Sequence, residues 1–238
     1  VGILVVTGTG TDVGKTVVTA AIAALAADRG RSVAVLKPAQ TGLPDDAPGD
    51  LAEVRRLAGP VTTRELRRYP DPLSPEAAAR RSGRTPVRPG EAAAAAGDLA
   101  EHHDLVLVEG AGGLLVRFDP TGGTLADVAW SLGAPVLLVA HAGLGTLNWT
   151  TLTAEVLVRR GIECIGVVVG RWPRQPDLAA RSNLIDLPVA AGAPLLGVLP
   201  DGVANIPSDE FLTVARDSLS PWLDGDFDSD VFTAGHTA

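Results

Sequence analysis

The chain begins Val1-Gly2-Ile3-Leu4-Val5-Val6-Thr7-Gly8-Thr9-Gly10-Thr11-Asp12-Val13-Gly14-Lys15-Thr16, an apolar run that breaks into glycines and threonines and ends in Gly-Lys-Thr. The apolar run reads as a buried strand, and Gly-Lys-Thr reads as the start of a helix. Strand, glycine-rich turn and helix in that order form a phosphate-binding loop. Glycines let the backbone curl until successive N–H groups face one anion. The helix start adds its positive dipole end. Lys15 then offers a mobile charge to the outer phosphates, and Thr16 a hydroxyl for Mg²⁺. The loop residues expected against a nucleotide are Gly10, Asp12, Val13, Gly14, Lys15, Thr16 and Val17. In the common spacing four residues separate the first Gly from Gly-Lys, which would put Gly at position 9. Thr9 stands there, so the loop is either one residue longer, counted from Gly8, or differently bent.

Beyond this motif, helical and strand patterns alternate. Helices are expected at 17–28 (ended by Gly30), 50–57, 76–81, 89–101, 146–160, 176–186 and 208–219. Strands are expected at 32–37, 104–109, 135–140, 163–169 and 194–199, with loop at 41–48 and irregular chain at 70–75. Such alternation predicts a single-domain α/β fold over residues 1–223, with a mostly parallel sheet flanked by helices on both faces. The loops that follow the strands then share one edge, where ligands bind. Residues 224–238 hold four Asp and no Lys or Arg, and are expected as a frayed acidic tail.

At 238 residues the chain can bury a substantial core, and its 46% apolar content is carried by Ala, Val and Leu, with only 4% aromatics. A net charge of −8 argues against a nucleic-acid surface. No stretch is long and apolar enough to span a membrane and no secretory signal is visible, so the cytoplasm is the expected compartment. Cys164 is the single cysteine and sits in a strand pattern, where a reduced structural thiol is expected. The chain holds no methionine, which implies an initiator that is removed or lies outside this sequence.

Three more features fall at strand ends on the ligand edge. Lys37, in Lys37-Pro38-Ala39-Gln40-Thr41-Gly42, is either a solvated strand end or a second cation facing phosphate; the nearby loop favours the second. Glu109 precedes Gly110-Ala111-Gly112-Gly113, and an acid after a short apolar strand suits a Mg²⁺-linked carboxylate, although a plain turn is the alternative. Asp50 by itself reads as a helix N-cap. With Thr16, Glu109 and phosphate oxygens it would also complete an oxygen shell for Mg²⁺. Gly143-Leu144-Gly145-Thr146-Leu147-Asn148 is either a flexible turn or a second anion-binding helix start, suited to a carboxylate. The histidines show no metal spacing, and His102 and His103 are expected exposed at a helix end.

Together these residues resemble the dethiobiotin synthetase family, of the phosphate-binding-loop NTPases. The likeness rests on the loop Thr7 to Thr16, Lys37-Pro38 with Thr41-Gly42, Asp50, Ser74-Pro75, Val108-Glu109-Gly110-Ala111-Gly112-Gly113, Leu144 to Asn148 and Pro194-Leu195-Leu196-Gly197. It implies a ligase that makes the cyclic urea of dethiobiotin from 7,8-diaminopelargonic acid, CO₂ and ATP or another nucleoside triphosphate, with Mg²⁺. It implies that Lys15, Lys37 and Thr11 serve catalysis, and that Thr16, Asp50 and Glu109 hold the metal. Thr11, Lys37, Thr41, Ser74, Gly112 and Gly113 would border the diamine and carbamate. It also implies a homodimer in which Gly143 to Asn148 of one subunit bind the substrate carboxylate in the other's site. The base would lie against Gly170 and Pro200. The family often has Asn-Asp where this chain has Gly170-Arg171, which leaves the base edge without that side-chain reader. Two rivals share the fold. A partition-type ATPase switch acting through a protein partner usually carries an extra Lys near Thr9 to Thr11, absent here. An amide-forming ligase on a cobyrinic acid scaffold would need a nucleophilic cysteine.

Overall fold

The computed structural model describes residues 2–237; Val1, expected in the opening strand, and Ala238, expected in the tail, lie outside the described residues. Strand β1 (Ile3–Gly8) is buried from Leu4 onward and runs through the middle of the sheet. Its neighbours are β4 (Leu105–Gly113) and β5 (Val136–Ala140). Beyond β4 lie β2 (Val33–Thr41) and the edge strand β3 (Thr62–Tyr69); beyond β5 lie β6 (Cys164–Trp172) and β7 (Leu195–Pro200). The order is β3-β2-β4-β1-β5-β6-β7 and every pairing is parallel. The alternation of strands and helices thus yields the expected doubly covered sheet.

Side-chain parity divides the core. Leu4, Val6, Val35, Leu107 and Val139 pack beneath α1 (Lys15–Asp28), α2 (Asp50–Ala58) and α8 (Ser208–Ser218). Val5, Leu36, Val106 and Val108 point the other way. They meet α3 (Pro75–Ser82), α4 (Pro89–Ala100), α5 (Leu125–Leu132) and α6 (Thr146–Arg159). Successive strand residues face opposite sides, so each strand feeds both layers. Helix α7 (Leu178–Ala191) closes the β6–β7 end with α9 (Ser229–Thr237). No helix among the described residues is long and apolar enough to cross a membrane.

Several local expectations are corrected. Strand β3, Thr-Thr-Arg-Glu-Leu-Arg-Arg-Tyr, shows no apolar alternation and was not foreseen; it is an edge strand, where charge protects the open side. Helix α7 runs past the expected end at Asp186, through Pro188, because Leu187 and Ala191 are buried in the core. Cys164 is half-buried rather than interior. His103 is half-buried too, with ring nitrogens 2.8 Å from the Leu99 carbonyl oxygen and 2.9 Å from Thr62 Oγ1. The acidic stretch expected as a frayed tail folds into α9. Asp228 Oδ1 accepts from the N–H groups of Asp230 at 2.9 Å and Val231 at 3.0 Å, and so caps the helix. Phe232 meets the buried Trp172 edge-on at 5.6 Å and stacks on His236 at 4.1 Å. Composition alone hid this, because the acids cap and start a helix whose aromatic side chains have partners elsewhere.

Candidate active site

The first strand delivers its loop to the edge of the sheet where the strands end. The Thr9 N–H donates to the Val139 carbonyl at 2.9 Å, which ties the loop to β5. Two residues make the bend: Asp12 at φ +58° and Gly14 at φ +96°. Asp tolerates the left-handed region better than most side chains, and Gly does so freely. The longer loop is therefore turned at 12 and 14, and Gly14 is the N-cap of α1. A Cβ on Gly14 would stand 2.5 Å from the Gly170 carbonyl oxygen. A Cβ on Gly170 would collide with the Val13 carbonyl oxygen and stand 2.7 Å from Val139 Cγ1. The loop thus rests, backbone on backbone, on the end of β6. Gly170 offers no base-reading side chain because a side chain does not fit there.

Strand register builds the charged centre. Leu36 pairs with Val108, so the next residues, Lys37 and Glu109, stand side by side on the face covered by α1. They are 2% and 0% exposed. The Lys37 Nζ lies 2.7 Å from Glu109 Oε1 and 2.5 Å from Asp50 Oδ2. It also donates to the Gly110 carbonyl at 3.1 Å. Thr16 Oγ1 donates to the same Glu109 oxygen at 2.8 Å. Asp50 is not the cap of its helix. Gly49 takes that place, and Asp50 stands in the first turn with its N–H donating to Gln40 Oε1 at 2.9 Å. Burial opposes the charge on Lys37, but the Glu109 and Asp50 carboxylates outweigh it and hold the ammonium above its ordinary range. Lys15 lies opposite in character: burial, helped by the Lys37 charge, lowers it to about 8 against the pull of Glu109, Asp50 and Asp12. Its Nζ is folded back on the Gly10 carbonyl at 2.8 Å.

These groups open into one cleft of about 800 Å³. Thr11, Asp12 and Gly14 line it from the loop, Lys15, Thr16 and Val17 from the start of α1, Lys37 and Thr41 from β2, Asp50 from the start of α2, Ser74 from the N-cap of α3, and Glu109 and Gly112 from β4. Gly170 and Pro200 line the opposite end. Gly10, Val13 and Gly113 stand behind the wall: Gly10 holds Lys15, Val13 is buried in the core, and Gly113 pairs with Gly8. Gly143 borders a smaller neighbouring cavity of about 330 Å³, and Leu144, Gly145, Thr146, Leu147 and Asn148 line neither. The lining residues that the sequence reading missed include the polar side chains of Gln40, Arg171 and Asp201. Gln40 is a buried polar residue within an otherwise buried strand, which was its available signal. Arg171 and Asp201 form an ion pair of 3.0 Å at the Gly170 end, across a contact 30 residues apart that no local pattern reports.

The donors suit a hard cation. Thr16, Asp50 and Glu109 offer only oxygens, and Glu109 Oε2 is buried without a hydrogen-bond partner among the described residues. No cluster of three or more His, Cys, Asp or Glu among those residues is set to hold a metal, so phosphate oxygens and water would have to complete the shell.

A family model described as an AAA domain matches residues 3–203. The ATP-dependent dethiobiotin synthetase BioD of Streptomyces coelicolor is 62% identical, over 98% of this chain and 98% of its own length. That of Saccharopolyspora erythraea is 66% identical, over 94% and 97%. Among solved structures, a ParA family ATPase from Chlorobium tepidum superposes with a TM-score of 0.57 at 14% identity, covering 93% of this chain and 95% of its own. The cell division ATPase MinD of Pyrococcus furiosus gives 0.55 at 19%, covering 91% and 98%. At such identities these two carry the fold and not a partition or cell-division role. The loop, the paired Lys37 and Glu109, and the near-complete likeness to curated relatives agree, and the chain belongs to the ATP-dependent dethiobiotin synthetase family.

Proposed function

We propose that the cleft joins 7,8-diaminopelargonic acid and CO₂ into the cyclic urea of dethiobiotin at the expense of a nucleoside triphosphate. The observation that carries the reading is the convergence of Lys15, Lys37, Asp50 and Glu109 at the mouth of a phosphate-binding loop. One substrate amine adds to CO₂ and loses a proton, giving a carbamate. A carbamate oxygen accepts the γ-phosphoryl group, and the nucleoside diphosphate leaves. The second amine attacks the carbonyl carbon, expels phosphate, loses a proton and closes the ring. Little covalent work falls to the protein, which positions reactants and neutralises charge.

Lys15 faces the outer phosphates, and Lys37 stabilises charge shared by the phosphoryl group and the carbamate. Thr11, Thr41, Ser74 and the Gly112 backbone border the diamine, with Gly113 holding that turn against Gly8 from behind. Thr16, Asp50 and Glu109 hold Mg²⁺, which supplies positive charge to the phosphate oxygens when bound. Gly10, Asp12, Val13, Gly14 and Val17 shape the nucleotide's seat, and the base lies toward Gly170 and Pro200. Because Gly170 has no side chain, discrimination among triphosphates is loose. The reaction belongs in the cytoplasm. Every residue with a role in this reaction falls within 1–223, and α9 packs onto the same domain.

The unit is a homodimer. Gly143 to Asn148 start α6 yet do not line their own chain's cleft, which favours service to a partner's site. Leu144 at 92% exposure, with Trp149 and Leu152 also exposed, offers an apolar face beside that helix start. An isologous contact gives two composite sites.

The test is a product assay. Protein, diaminopelargonate, labelled bicarbonate and Mg²⁺ with ATP, CTP or GTP should yield labelled dethiobiotin. No product with any triphosphate overturns the reading.

A further inference from the structure

The side chains assigned to the metal already surround a cation. Lys37 Nζ touches Asp50 Oδ2 at 2.5 Å and Glu109 Oε1 at 2.7 Å, and Thr16 Oγ1 donates to that same Glu109 oxygen. Lys37 and Glu109 are almost wholly removed from water. A buried carboxylate left without a positive partner is costly, so a cation has to sit against Glu109 in every state of the cleft. Mg²⁺ binds oxygens at about 2.0–2.1 Å and demands near-octahedral geometry. An ammonium hydrogen-bonded to one oxygen of each carboxylate occupies the space between Asp50 and Glu109, where a metal shared by the two would have to sit, and leaves Glu109 Oε2 unpartnered among the described residues.

We infer that Lys37 is the resident counter-ion of the Asp50–Glu109 pair in the nucleotide-free protein, and that metal loading is a cation exchange in which its ammonium gives up these carboxylates. The inference rests on the metal assignment proposed above and deepens it. A lysine head on a flexible four-carbon stem can swing while its stem stays packed, which suits this role. The displaced ammonium needs a new negative partner, and the incoming phosphates bring one; of the other carboxylates that line the cleft, Asp201 is already paired with Arg171 and Asp12 belongs to the phosphate loop. Metal therefore binds poorly to the empty protein and well in company with nucleotide. Lys37 is freed to face the reacting groups only when both have arrived, so one side chain serves first as a plug and then in catalysis.

The test reads metal binding rather than turnover. Mn²⁺ is titrated into the metal-free full chain without nucleotide, and free Mn²⁺ is followed by electron paramagnetic resonance. Lys37→Met keeps the stem and removes the charge. It should bind Mn²⁺ about tenfold or more tighter than the wild type, and Glu109→Gln in the same background should abolish the gain. Thermal melts give a second reading: Mn²⁺ should raise the melting temperature of Lys37→Met strongly and that of the wild type little. If Lys37→Met folds only when Mn²⁺ is present, the exchange is supported; if Mn²⁺ cannot rescue its folding, the exchange is overturned. Equal Mn²⁺ affinity in wild type and Lys37→Met, lost in Glu109→Gln, overturns the exchange while the metal assignment stands. If neither protein binds Mn²⁺, alone or with a non-hydrolysable ATP analogue, the metal assignment falls and the exchange with it.

Discussion

Replacing Gly170 by Ala adds one carbon at the place where the phosphate loop rests on the sheet. That carbon would collide with the Val13 carbonyl oxygen, stand 2.7 Å from Val139 Cγ1 and 3.1 Å from Gly14 Cα. Two of these neighbours are backbone, so no rotamer change relieves them. The loop must retreat by about 1 Å to restore ordinary van der Waals contact. Such overpacking typically costs about 1–3 kcal/mol of stability. The larger effect falls on function, because Lys15 and Thr16 follow directly on the displaced turn. A misplacement of about 1 Å can cost about 10²-fold in rate, equivalent to about 2.7 kcal/mol in the barrier. We expect Gly170→Ala to lose about two orders of magnitude in kcat/KM, with weaker binding of a fluorescent nucleotide and a lowered melting temperature. Gly170→Asn should behave no better and should gain no preference for ATP. Gly90→Ala is the control: nothing lies within 4 Å of its added carbon and it stands in the first turn of α4. A Gly170→Ala protein with wild-type nucleotide affinity and turnover would refute the tight seat.

Four further expectations follow from the same geometry. Gln40→Leu leaves the Asp50 N–H without its acceptor, at a cost of about 1–3 kcal/mol, and should raise the Mg²⁺ needed for half-maximal rate; an unchanged metal requirement would show that Asp50 needs no such support. Lys15 stands at about 8, so phosphates that raise its pKa should cause proton uptake on binding and affinity should fall as pH rises through that value. Calorimetry in buffers of differing ionisation enthalpy should give about a quarter of a proton at pH 7.5 and about three quarters at pH 8.5, and no uptake at the higher pH would contradict the lowered value. A chain ending at Asp228 loses the Phe232 and His236 contacts to Trp172, worth together about 2 kcal/mol, and should melt about 4–8 °C lower. Trp172 is the buried one of four tryptophans, so acrylamide should quench an added share of emission in the shortened chain and would not do so if α9 were idle. Mixing inactive Lys15→Ala with inactive Gly145→Val, whose parent glycine sits at φ +94°, should restore part of the activity once subunits exchange; none restored after proven exchange would place each site within one subunit.

Residues close together in the chain carried most of what could be read directly. Gly14-Lys15-Thr16 behind an apolar strand declared a phosphate loop, because a strand, a turn that needs glycine and a helix start are each local preferences. The strand–helix alternation declared the parallel sheet in the same way. Glu109 and Lys37 could be flagged as strand-end charges, and Asp50 as a helix start. The positive φ of Gly14 was implied by the motif, whereas that of Asp12 was not.

Other features arise only when distant segments meet. Lys37 and Glu109 lie 72 positions apart, and their contact depends on the register of β2 against β4, which neither segment specifies by itself. Gly170 looked like a missing base reader until Val13 and Gly14 were seen packed against it. The aromatic residues of α9 looked like part of a solvated tail until Trp172 supplied their partner. Strand β3 carries charge where a pattern search wants alternation, because an edge strand has an open side to protect. The sequence alone thus determined which chemistry the chain could hold, since glycine freedom, helix capping and strand burial act over a few residues. The tertiary structure decided how that chemistry is arranged, because charge pairing and backbone contact depend on distances between segments that only the packed sheet brings together.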